Sequence, residues 1–367
     1  MKVAVLGVGL IGGSIGLAAR ERLGAEVAGF DPDPGNSRRA VELGALDTAA
    51  ASAAEALADA EVVFCAAPVR ALGGLVREAL AGTGEGCVVT DVGSTKRELV
   101  AAVNAITADG GAERFIGGHP IAGAETAGVE YAQAKLFEGA RWYLTPNRTS
   151  DGVLYDRLQR LVAGLGARPQ AIDADSHDRL MATVSHLPHV IANVLVTQAA
   201  TTSSEESEGL PEVGPSFRDT TRVAGANPAI WTDIFDSNRE AVAAEIDAAA
   251  KRLREASELI RGGDREAVSA WHREARDSRS RLLDATGAEG PLNEIRVGIE
   301  NRPGAVAEIA LELGSARVNI EDMALYPATE MTNGAVTFWV FGAGEAERAA
   351  KLVRSLGHTA SVVSPGD

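Results

Sequence analysis

Cysteine is scarce in this chain. Only Cys65 and Cys87 occur among its 367 residues, each inside a valine-rich run typical of a buried strand, "EVVFCAAP" and "GCVVTDVG". Two such residues exclude the disulfide framework of small secreted domains. The chain enters an apolar strand-like run at once instead of a signal peptide, and no apolar run approaches the roughly 18 residues of a membrane span. We therefore predict a cytoplasmic protein without a membrane partner.

Positive charge is also scarce. The chain has 35 Lys and Arg against 51 Asp and Glu, so its formal net charge is -16. Such a surface repels phosphate backbones, and we do not expect a nucleic-acid partner. Because the background field is negative, an arginine or histidine in a predicted pocket is a strong candidate for binding an anion.

With 367 residues the chain is longer than a single domain usually is, and its pattern of apolar and polar residues changes twice. Residues 1–173 alternate Ala-rich helical stretches with runs such as "KVAVLG" and "EVVFCAAP", which predicts a Rossmann-type, doubly wound α/β domain of buried parallel strands. Residues 174–288 predict long helices, interrupted by a polar connection at 201–216. Residues 292–367 predict the order β-α-β-β-α-β of a ferredoxin-like domain.

A glycine motif follows the first predicted strand. Its three glycines have the G-x-G-x-x-G spacing: Gly7, Gly9 and Gly12. Asp31 ends the second predicted strand, where a carboxylate accepts from the adenosine ribose and repels a 2'-phosphate. This pattern predicts NAD rather than NADP. Two alternatives remain: Asp31 only caps the loop "DPDPGNS", or Arg38 and Arg39 pair with a 2'-phosphate.

Two candidate catalytic residues follow later strands of the predicted sheet. His119 lies in "FIGGHPIAGAET", where glycine, alanine and proline offer backbone freedom but few packing partners. Ser94 lies in "TDVGSTK", after the preceding strand. Functional groups gather at the carboxyl ends of parallel strands, so both residues are expected at one cleft. Ser94 has the alternative role of N-cap for the next helix.

Five motifs in order resemble the prephenate/arogenate dehydrogenases of tyrosine biosynthesis: "GVGLIGGS", "DVGSTK", "GGHPIAGAE", "SHLPHVIA" and "FRDTTRVAGANPAIW". The end of the chain is similar to an ACT regulatory module. The resemblance implies NAD(P)-dependent oxidative decarboxylation of prephenate or arogenate, and helical domains that pair into a homodimer. The residues leave the choice between prephenate and arogenate open.

The resemblance also implies roles for single residues. His119 is the general base, which suits the pKa of an imidazole, and Ser94 orients that imidazole or the substrate hydroxyl. Arg222 binds the ring carboxylate of the substrate through its two-pronged guanidinium. His189 lies near the side-chain carboxylate, and Trp231 either walls the pocket or packs in a helix core.

Other assignments compete with these roles. His186 and His189 lie three residues apart, on one face of a helix that Pro188 should kink, but no third ligand is evident and we predict no metal. His186 is expected to be structural. Arg218 is expected to pair at the surface with Asp219 or Glu212.

The ACT resemblance implies an effector site for L-tyrosine. In "ENRPGAVAEIA", Asn301 and Gly304 precede a predicted helix whose N–H groups suit an amino-acid carboxylate, and Asn319 opens the next strand. The alternative is a purely structural dimerisation module. More remote alternatives for the whole chain are a nonenzymatic, NAD-responsive regulator and a hydroxyacid dehydrogenase with a catalytic lysine.

Overall fold

The computed structural model describes residues 1–106, 111–123, 126–206, 213–284, 292–300, 302, 304–327 and 333–363. The chain folds as two compact units. One combines Met1–Asp178 with Pro291–Asp367, and the other is Arg179–Gly290. The first unit therefore contains both the predicted dinucleotide-binding part and the carboxyl-terminal part of the chain.

The amino-terminal part of the first unit is a doubly wound α/β fold. Its strands are β1 (Lys2–Leu6), β2 (Glu26–Phe30), β3 (Thr48–Ala49), β4 (Val62–Cys65), β5 (Val88–Asp91), β6 (Phe115–Pro120), β7 (Arg141–Thr145) and β8 (Arg168–Ala171). Its helices are α1 (Leu10–Leu23), α2 (Pro34–Glu42), α3 (Ala53–Leu57), α4 (Val69–Gly82), α5 (Arg97–Ile106) and α6 (Gly152–Gly164). The strand order β3-β2-β1-β4-β5-β6-β7-β8 begins with the 3-2-1-4-5-6 order of dinucleotide-binding sheets and confirms the Rossmann-type prediction.

The last two strands differ from the all-parallel prediction. β7 runs antiparallel to β6, with His119 opposite Tyr143, and β8 is parallel to β7. A parallel return needs a crossover of a dozen or more residues, usually through a helix. In the described residues between β6 and β7 the only helical segment is the 3₁₀ turn Val129–Tyr131, so the chain returns antiparallel. We missed β8 because "RPQA" carries no apolar run.

The described residues of the second unit form helices and their connections, without a strand. Its helices are α7 (Ala174–Met181), which begins in the first unit, α8 (Leu187–Glu206), α9 (Pro215–Thr221), α10 (Pro228–Ser237), α11 (Arg239–Gly262) and α12 (Arg265–Asp284). A π-helical turn, Ala182–His186, joins α7 to α8 directly before Pro188. Proline lacks an N–H, and this wider turn is where the helix changes its hydrogen-bond pattern.

One helical stretch in the described residues, Ala174–Thr201, is long and apolar enough by length and composition to cross a membrane. Its 18-residue window reaches a mean hydropathy of 1.4, and 22% of that window is buried. The sequence predicted no apolar run of this length. Val184 and Val194 remain more than half exposed. The part of this stretch that lies in the second unit therefore presents exposed apolar side chains.

The carboxyl-terminal part contains β9 (Leu292–Glu300), α13 (Ala305–Ser315), β10 (Asp322–Pro327), β11 (Asn333–Phe341), α14 (Ala343–Ser355) and β12 (Thr359–Val363). These elements have the predicted order β-α-β-β-α-β. Their four strands pair antiparallel in the order β10-β11-β9-β12.

The two parts of the first unit meet through close backbone contacts and share one hydrophobic core. A Cβ on Gly314 of α13 would lie 1.9 Å from the carbonyl oxygen of Ala171 in β8, and a Cβ on Gly304 would lie 1.9 Å from that of Arg148. A Cβ on Gly152 would lie 3.1 Å from the side chain of Val306. Only glycine permits the two closest approaches, so α13 packs directly on the dinucleotide-binding part.

Candidate active site

The glycine turn after β1 has the shape that a dinucleotide requires. Gly7 has φ +96°, and a Cβ there would lie 2.2 Å from the carbonyl oxygen of Ala66; a Cβ on Gly12 would lie 2.0 Å from that of Gly7. These two glycines permit the tight turn and its packing. A Cβ on Gly9 would meet nothing within 4 Å. Gly9 caps α1 without a side chain, so the turn leaves space for a pyrophosphate beside the N–H groups that begin the helix.

Asp31 is bonded to the same turn. Its Oδ2 accepts from the N–H of Val8 at 2.8 Å, and its Oδ1 accepts from the N–H of Asp33 at 2.9 Å and from Asn36 at 3.1 Å. Asp31 therefore organises its own loop, as one alternative proposed, and also holds the glycine turn. The two arginines that follow bond within α2: Arg38 to the carbonyl of Pro34, and Arg39 to Glu42.

A buried ion pair fixes the backbone before His119. Asp91, which ends β5, pairs with Lys96, and both side chains are fully buried. Oδ1 of Asp91 accepts from the N–H of Gly118 at 3.1 Å, while Nζ of Lys96 donates to the carbonyl of Gly118 at 2.7 Å. Burial lowers the pKa of Lys96, and the neighbouring carboxylate of Asp91 opposes that shift. The pair thus holds the strand on both sides of the residue that precedes His119.

The two glycines of "GGH" make this clamp possible. A Cβ on Gly117 would lie 2.4 Å from the hydroxyl of Thr145, and a Cβ on Gly118 would lie 2.5 Å from the carbonyl oxygen of Asp91. Any other residue would push β6 away from its neighbours. Gly117 and Gly118 therefore allow β6 to lie close to Thr145 and to the backbone of Asp91.

The half-buried ring of His119 contacts a second histidine. Its Nδ1 lies 2.9 Å from Nε2 of His177 on α7, and Nδ1 of His177 lies 2.8 Å from Oδ1 of Asp178. Asp178 also accepts from the N–H groups of Lys96 at 2.8 Å and Arg97 at 3.0 Å, which begin α5. His119, His177 and Asp178 form a continuous row, which we call the imidazole row.

The helix that follows Ser94 begins at Arg97. Because Asp178 takes the N–H groups of Lys96 and Arg97, its carboxylate caps this helix, and the alternative role of Ser94 as N-cap is wrong. Ser94 is half-buried between Asp91 and Lys96 in sequence.

Burial sets the protonation of the imidazole row. Burial lowers the pKa of His177, and this outweighs the opposing effect of the hydrogen bond with Asp178. Burial alone raises the pKa of Asp178, but its hydrogen bonds with His177 and with the N–H groups of α5 lower it overall. At neutral pH the row therefore contains a neutral His177 beside an ionised Asp178.

Sequence reasoning missed four members of this arrangement: Asp91, Lys96, His177 and Asp178. Two signals were available. An aspartate and a lysine flank the turn "DVGSTK" at the end of an apolar strand, and "SHD" opens the helix after the sheet. Neither signal reveals that the two segments meet, because Lys96 and Asp178 are 82 positions apart and come together only in the folded unit.

The predicted substrate residues of the second unit are His189 on α8, Trp231 on α10 and Arg222, which begins the 3₁₀ segment Arg222–Gly225. The rings of His189 and Trp231 stack with centroids 3.3 Å apart. Burial lowers the pKa of His189, and the charge of Arg222 nearby lowers it further. His186 is buried, with Nδ1 3.2 Å from the side-chain nitrogen of Asn238. These contacts bring three predicted residues together and give His186 a packed, structural environment.

Two further predictions concern arginine and metal. Arg218 donates to the carbonyl of Val213 through Nε and Nη2, rather than to the predicted Asp219; Glu212 lies outside the described residues. Across the described ranges, no group of three or more His, Cys, Asp or Glu side chains is arranged to hold a metal ion.

The predicted effector residues are engaged within the chain. The N–H of Gly304 donates to the carbonyl of Ser150 at 3.2 Å. The side chain of Asn319 donates to Glu321, and Asn301 lies outside the described residues. The N–H of Gly304 is therefore already bonded within the first unit, while the prediction of an effector site at the start of α13 stays a prediction.

The dinucleotide turn, the acidic residue after β2 and a histidine held beside the sheet define a class of protein. They are features of a nicotinamide-dependent dehydrogenase.

Comparison with known proteins identifies the family. Residues 15–170 match "Prephenate dehydrogenase, nucleotide-binding domain", and residues 173–274 match "Prephenate dehydrogenase, dimerization domain". The chain is 31% identical to a prephenate dehydrogenase of Bacillus subtilis over 90% of each chain. The chain belongs to the prephenate dehydrogenase family, an NAD-dependent group of oxidoreductases.

Solved structures of two proteins are also similar to this chain. A prephenate dehydrogenase of Aquifex aeolicus in complex with hydroxyphenyl propionate and NAD+ is 32% identical, with a TM-score of 0.71 over 77% of this chain and 98% of that chain. An arogenate dehydrogenase of Synechocystis is 25% identical, with a TM-score of 0.67 over 77% of this chain and 100% of that chain.

Proposed function

We propose that this chain oxidises and decarboxylates prephenate to 4-hydroxyphenylpyruvate, with NAD as the hydride acceptor. The observation that carries this proposal is His119, which is held by the buried Asp91–Lys96 pair at the end of β6 and connected to His177 at 2.9 Å. A histidine in so constrained a position, in a member of this family, suits the general base of the reaction.

In the proposed reaction, the imidazole of His119 takes the proton of the substrate hydroxyl. NAD+, when bound, accepts the hydride from the carbon that carries this hydroxyl. The bond between the ring and its carboxylate then breaks, CO2 leaves, and the bonding electrons aromatise the ring and reach the former hydroxyl oxygen. His119 returns its proton to that oxygen, so the phenol forms without net proton release.

Other residues bind and orient the substrate in this proposal. Ser94 orients the imidazole or the hydroxyl, as the family motif implies. Arg222 binds the ring carboxylate, since a guanidinium pairs with it through two parallel hydrogen bonds. His189 recognises the side-chain carboxylate and Trp231 forms an apolar wall; their stacked rings support this pairing of roles.

The alternative substrate is arogenate, which has an amino acid where prephenate has a keto acid. The similar protein of Synechocystis is an arogenate dehydrogenase, which supports arogenate as the alternative substrate. A hydroxyacid dehydrogenase with a catalytic lysine on its helical domain has less support, because the one lysine among residues 174–288 is Lys251, which is exposed and pairs with Glu255. Steady-state assays with prephenate and arogenate, each with NAD and NADP, distinguish these substrates.

The test of the mechanism is His119→Asn. We expect kcat with prephenate to fall by about 10²–10⁴-fold with little change in substrate binding, because positioned proton transfer contributes about that much. The matched control is His272→Asn, since His272 is exposed on α12. Turnover of His119→Asn close to that of the parent enzyme would refute the assignment.

We also propose that the enzyme is a cytoplasmic homodimer built on the second unit. Ile246, Leu253 and Ile260 of α11 are 37%, 62% and 59% exposed and lie seven residues apart, so they form one apolar stripe. Val194 and Val196 of α8 are also exposed, at 52% and 38%. We expect a dimer by sedimentation at micromolar concentration, and weaker association for Leu253→Glu. A monomeric parent enzyme contradicts the proposal.

For the carboxyl-terminal part we propose an ACT-like role, the sensing of L-tyrosine. The β-α-β-β-α-β order and the antiparallel sheet support it. A purely structural role is the alternative, and it is supported by the N–H of Gly304, which serves the docking of α13. We expect tyrosine to inhibit the full chain, and Asn301→Ala to lose this response while kcat is kept. Competition with prephenate that Asn301→Ala leaves unchanged identifies tyrosine as a product analogue instead.

A further inference from the structure

The imidazole row determines which nitrogen of His119 is basic. A neutral imidazole carries its single proton on one nitrogen and a lone pair on the other, and only the second can accept a proton. The tautomer of His119 therefore decides whether Nε2 can act as the base of the proposed reaction. The contacts of the row allow the proton to be placed, starting from its buried end.

The contact with Asp178 places the proton of His177. The carboxylate of Asp178 accepts from the N–H groups of Lys96 and Arg97, which have no other protonation state. An ionised carboxylate can only accept hydrogen bonds. The 2.8 Å contact between Oδ1 of Asp178 and Nδ1 of His177 therefore requires the proton to lie on Nδ1 of His177.

The contact with His177 then places the proton of His119. His177 is fully buried beside the cation of Lys96, and burial lowers its pKa, so a neutral ring carries only the proton that faces Asp178. Its Nε2 then presents a lone pair to Nδ1 of His119, 2.9 Å away. Two lone pairs cannot make this contact, so Nδ1 of His119 carries the proton and donates it to His177.

We propose that His177 and Asp178 are positioning residues that hold His119 in the Nδ1–H tautomer and direct the lone pair of Nε2 toward the substrate hydroxyl. This inference rests on the proposed role of His119 as base. When Nε2 of His119 takes the hydroxyl proton, Nδ1 keeps its proton and its bond to His177. The imidazolium that forms is then stabilised by a row that ends in a carboxylate.

The surroundings of His177 support a role in orientation. The ring of Tyr143 meets its ring edge to face at 5.6 Å, and that of His119 does so at 5.1 Å. The charged groups that face it are Asp178, Lys96 and Asp91. The packed rings restrain its rotation, so His177 can hold the direction of the hydrogen bond to His119.

The first test measures the tautomer itself in the full-length enzyme without substrate. In protein labelled with ¹⁵N-histidine, we expect His119 and His177 both to show a protonated Nδ1 and an unprotonated Nε2 at pH 7.5, assigned by comparison with His119→Asn and His177→Gln. A protonated Nε2 on His119 overturns the inference. This measurement needs no turnover, so it stands apart from the proposed reaction.

The second test uses two replacements of His177 that differ in one property. Glutamine extends an acceptor to the place of Nε2, whereas leucine fills similar space without one. We expect His177→Gln to keep kcat within about tenfold of the parent enzyme and His177→Leu to lose about 10²–10⁴-fold, with similar KM values. Equal kcat losses in both variants, or none in either, refute a tautomer-fixing role.

The third test is Asp178→Asn, which offers His177 an amide donor and so favours the opposite tautomer of both rings. We expect kcat to fall by about 10²–10⁴-fold with NADH binding retained, and the ¹⁵N signals of His119 to invert. Thermal unfolding controls for the loss of the cap of α5. If His119→Asn is inactive while Asp178→Asn keeps full kcat, the base assignment holds and the inference fails; an active His119→Asn refutes the base assignment.

Discussion

The close approach of Gly314 to β8 predicts that a glycine-to-alanine substitution there destabilises the protein, although such a substitution in a helix usually stabilises it. Alanine is usually better than glycine in a helix by about 1 kcal/mol, so Gly→Ala in α13 should stabilise the protein. At Gly314 the added Cβ would lie 1.9 Å from the carbonyl oxygen of Ala171, and real Cβ contacts essentially never fall under 3.0 Å. Relief requires a shift of at least about 1.1 Å, the difference between these distances, between α13 and β8.

Both groups in this contact belong to regular elements, so the shift has to move a whole helix or strand. Overpacking of this kind costs about 1–3 kcal/mol, and we expect Gly314→Ala to destabilise the first unit by about 2–3 kcal/mol. For a unit of this size that is a fall in Tm of about 4–12 °C, measured by thermal unfolding.

The matched control is Gly74→Ala in α4. Gly74 is also helical, but a Cβ there would meet nothing within 4 Å. Here the ordinary preference should hold, with stabilisation of about 0.5–1 kcal/mol and a rise in Tm of about 1–3 °C. If Gly314→Ala raises Tm as Gly74→Ala does, α13 does not pack on Ala171 as the structure describes.

Three further predictions concern the substrate, the cofactor and acid stability. Arg222→Ala should raise KM for prephenate by the equivalent of about 2–4 kcal/mol, because a carboxylate loses its charged partner, and an unchanged KM would point to Arg218. The kcat/KM with NAD should exceed that with NADP because of Asp31, and equal values would mean that an arginine of α2 offsets it. Burial lowers the pKa of His177 below its ordinary 6.5, so the unfolded chain takes up its proton first as the pH falls. Its stability contribution is therefore present above about pH 6.5 and declines below it. Urea unfolding at pH 7.5 and 5.5 should show a smaller pH effect for His177→Gln than for the parent enzyme.

Local patterns in the sequence predicted the features that depend on short stretches of chain. The spacing of Gly7, Gly9 and Gly12 predicted the turn, and continuous apolar runs predicted the first strands of the sheet. His119 stood out because its neighbours were chosen for backbone freedom. In each case the physical requirement, a tight turn or a buried strand, falls on residues that are adjacent in sequence.

The features that escaped prediction depend on residues distant in sequence. Nothing in "SHD" indicates that Asp178 caps a helix that begins 81 residues earlier. The turn at Gly304 had the pattern of an anion site, but its N–H group serves the carbonyl of Ser150 in another part of the unit. β7 runs antiparallel to β6, and the described residues between these two strands contain no α-helix that could form a parallel crossover. Such outcomes follow from tertiary contacts, which compete with local preferences and override them.

The shared core of the first unit decides how its carboxyl-terminal part can be engineered. Deletion after about residue 290 would uncover the face of α6 and β8 that packs on α13, and it would remove part of the hydrophobic core that the two parts share. A shortened enzyme that fails to respond to an amino acid would then report a damaged scaffold as readily as a lost sensor. The same contact limits domain exchange, because a module transplanted from a relative must bring glycines matching Gly304 and Gly314 to pack on the sheet.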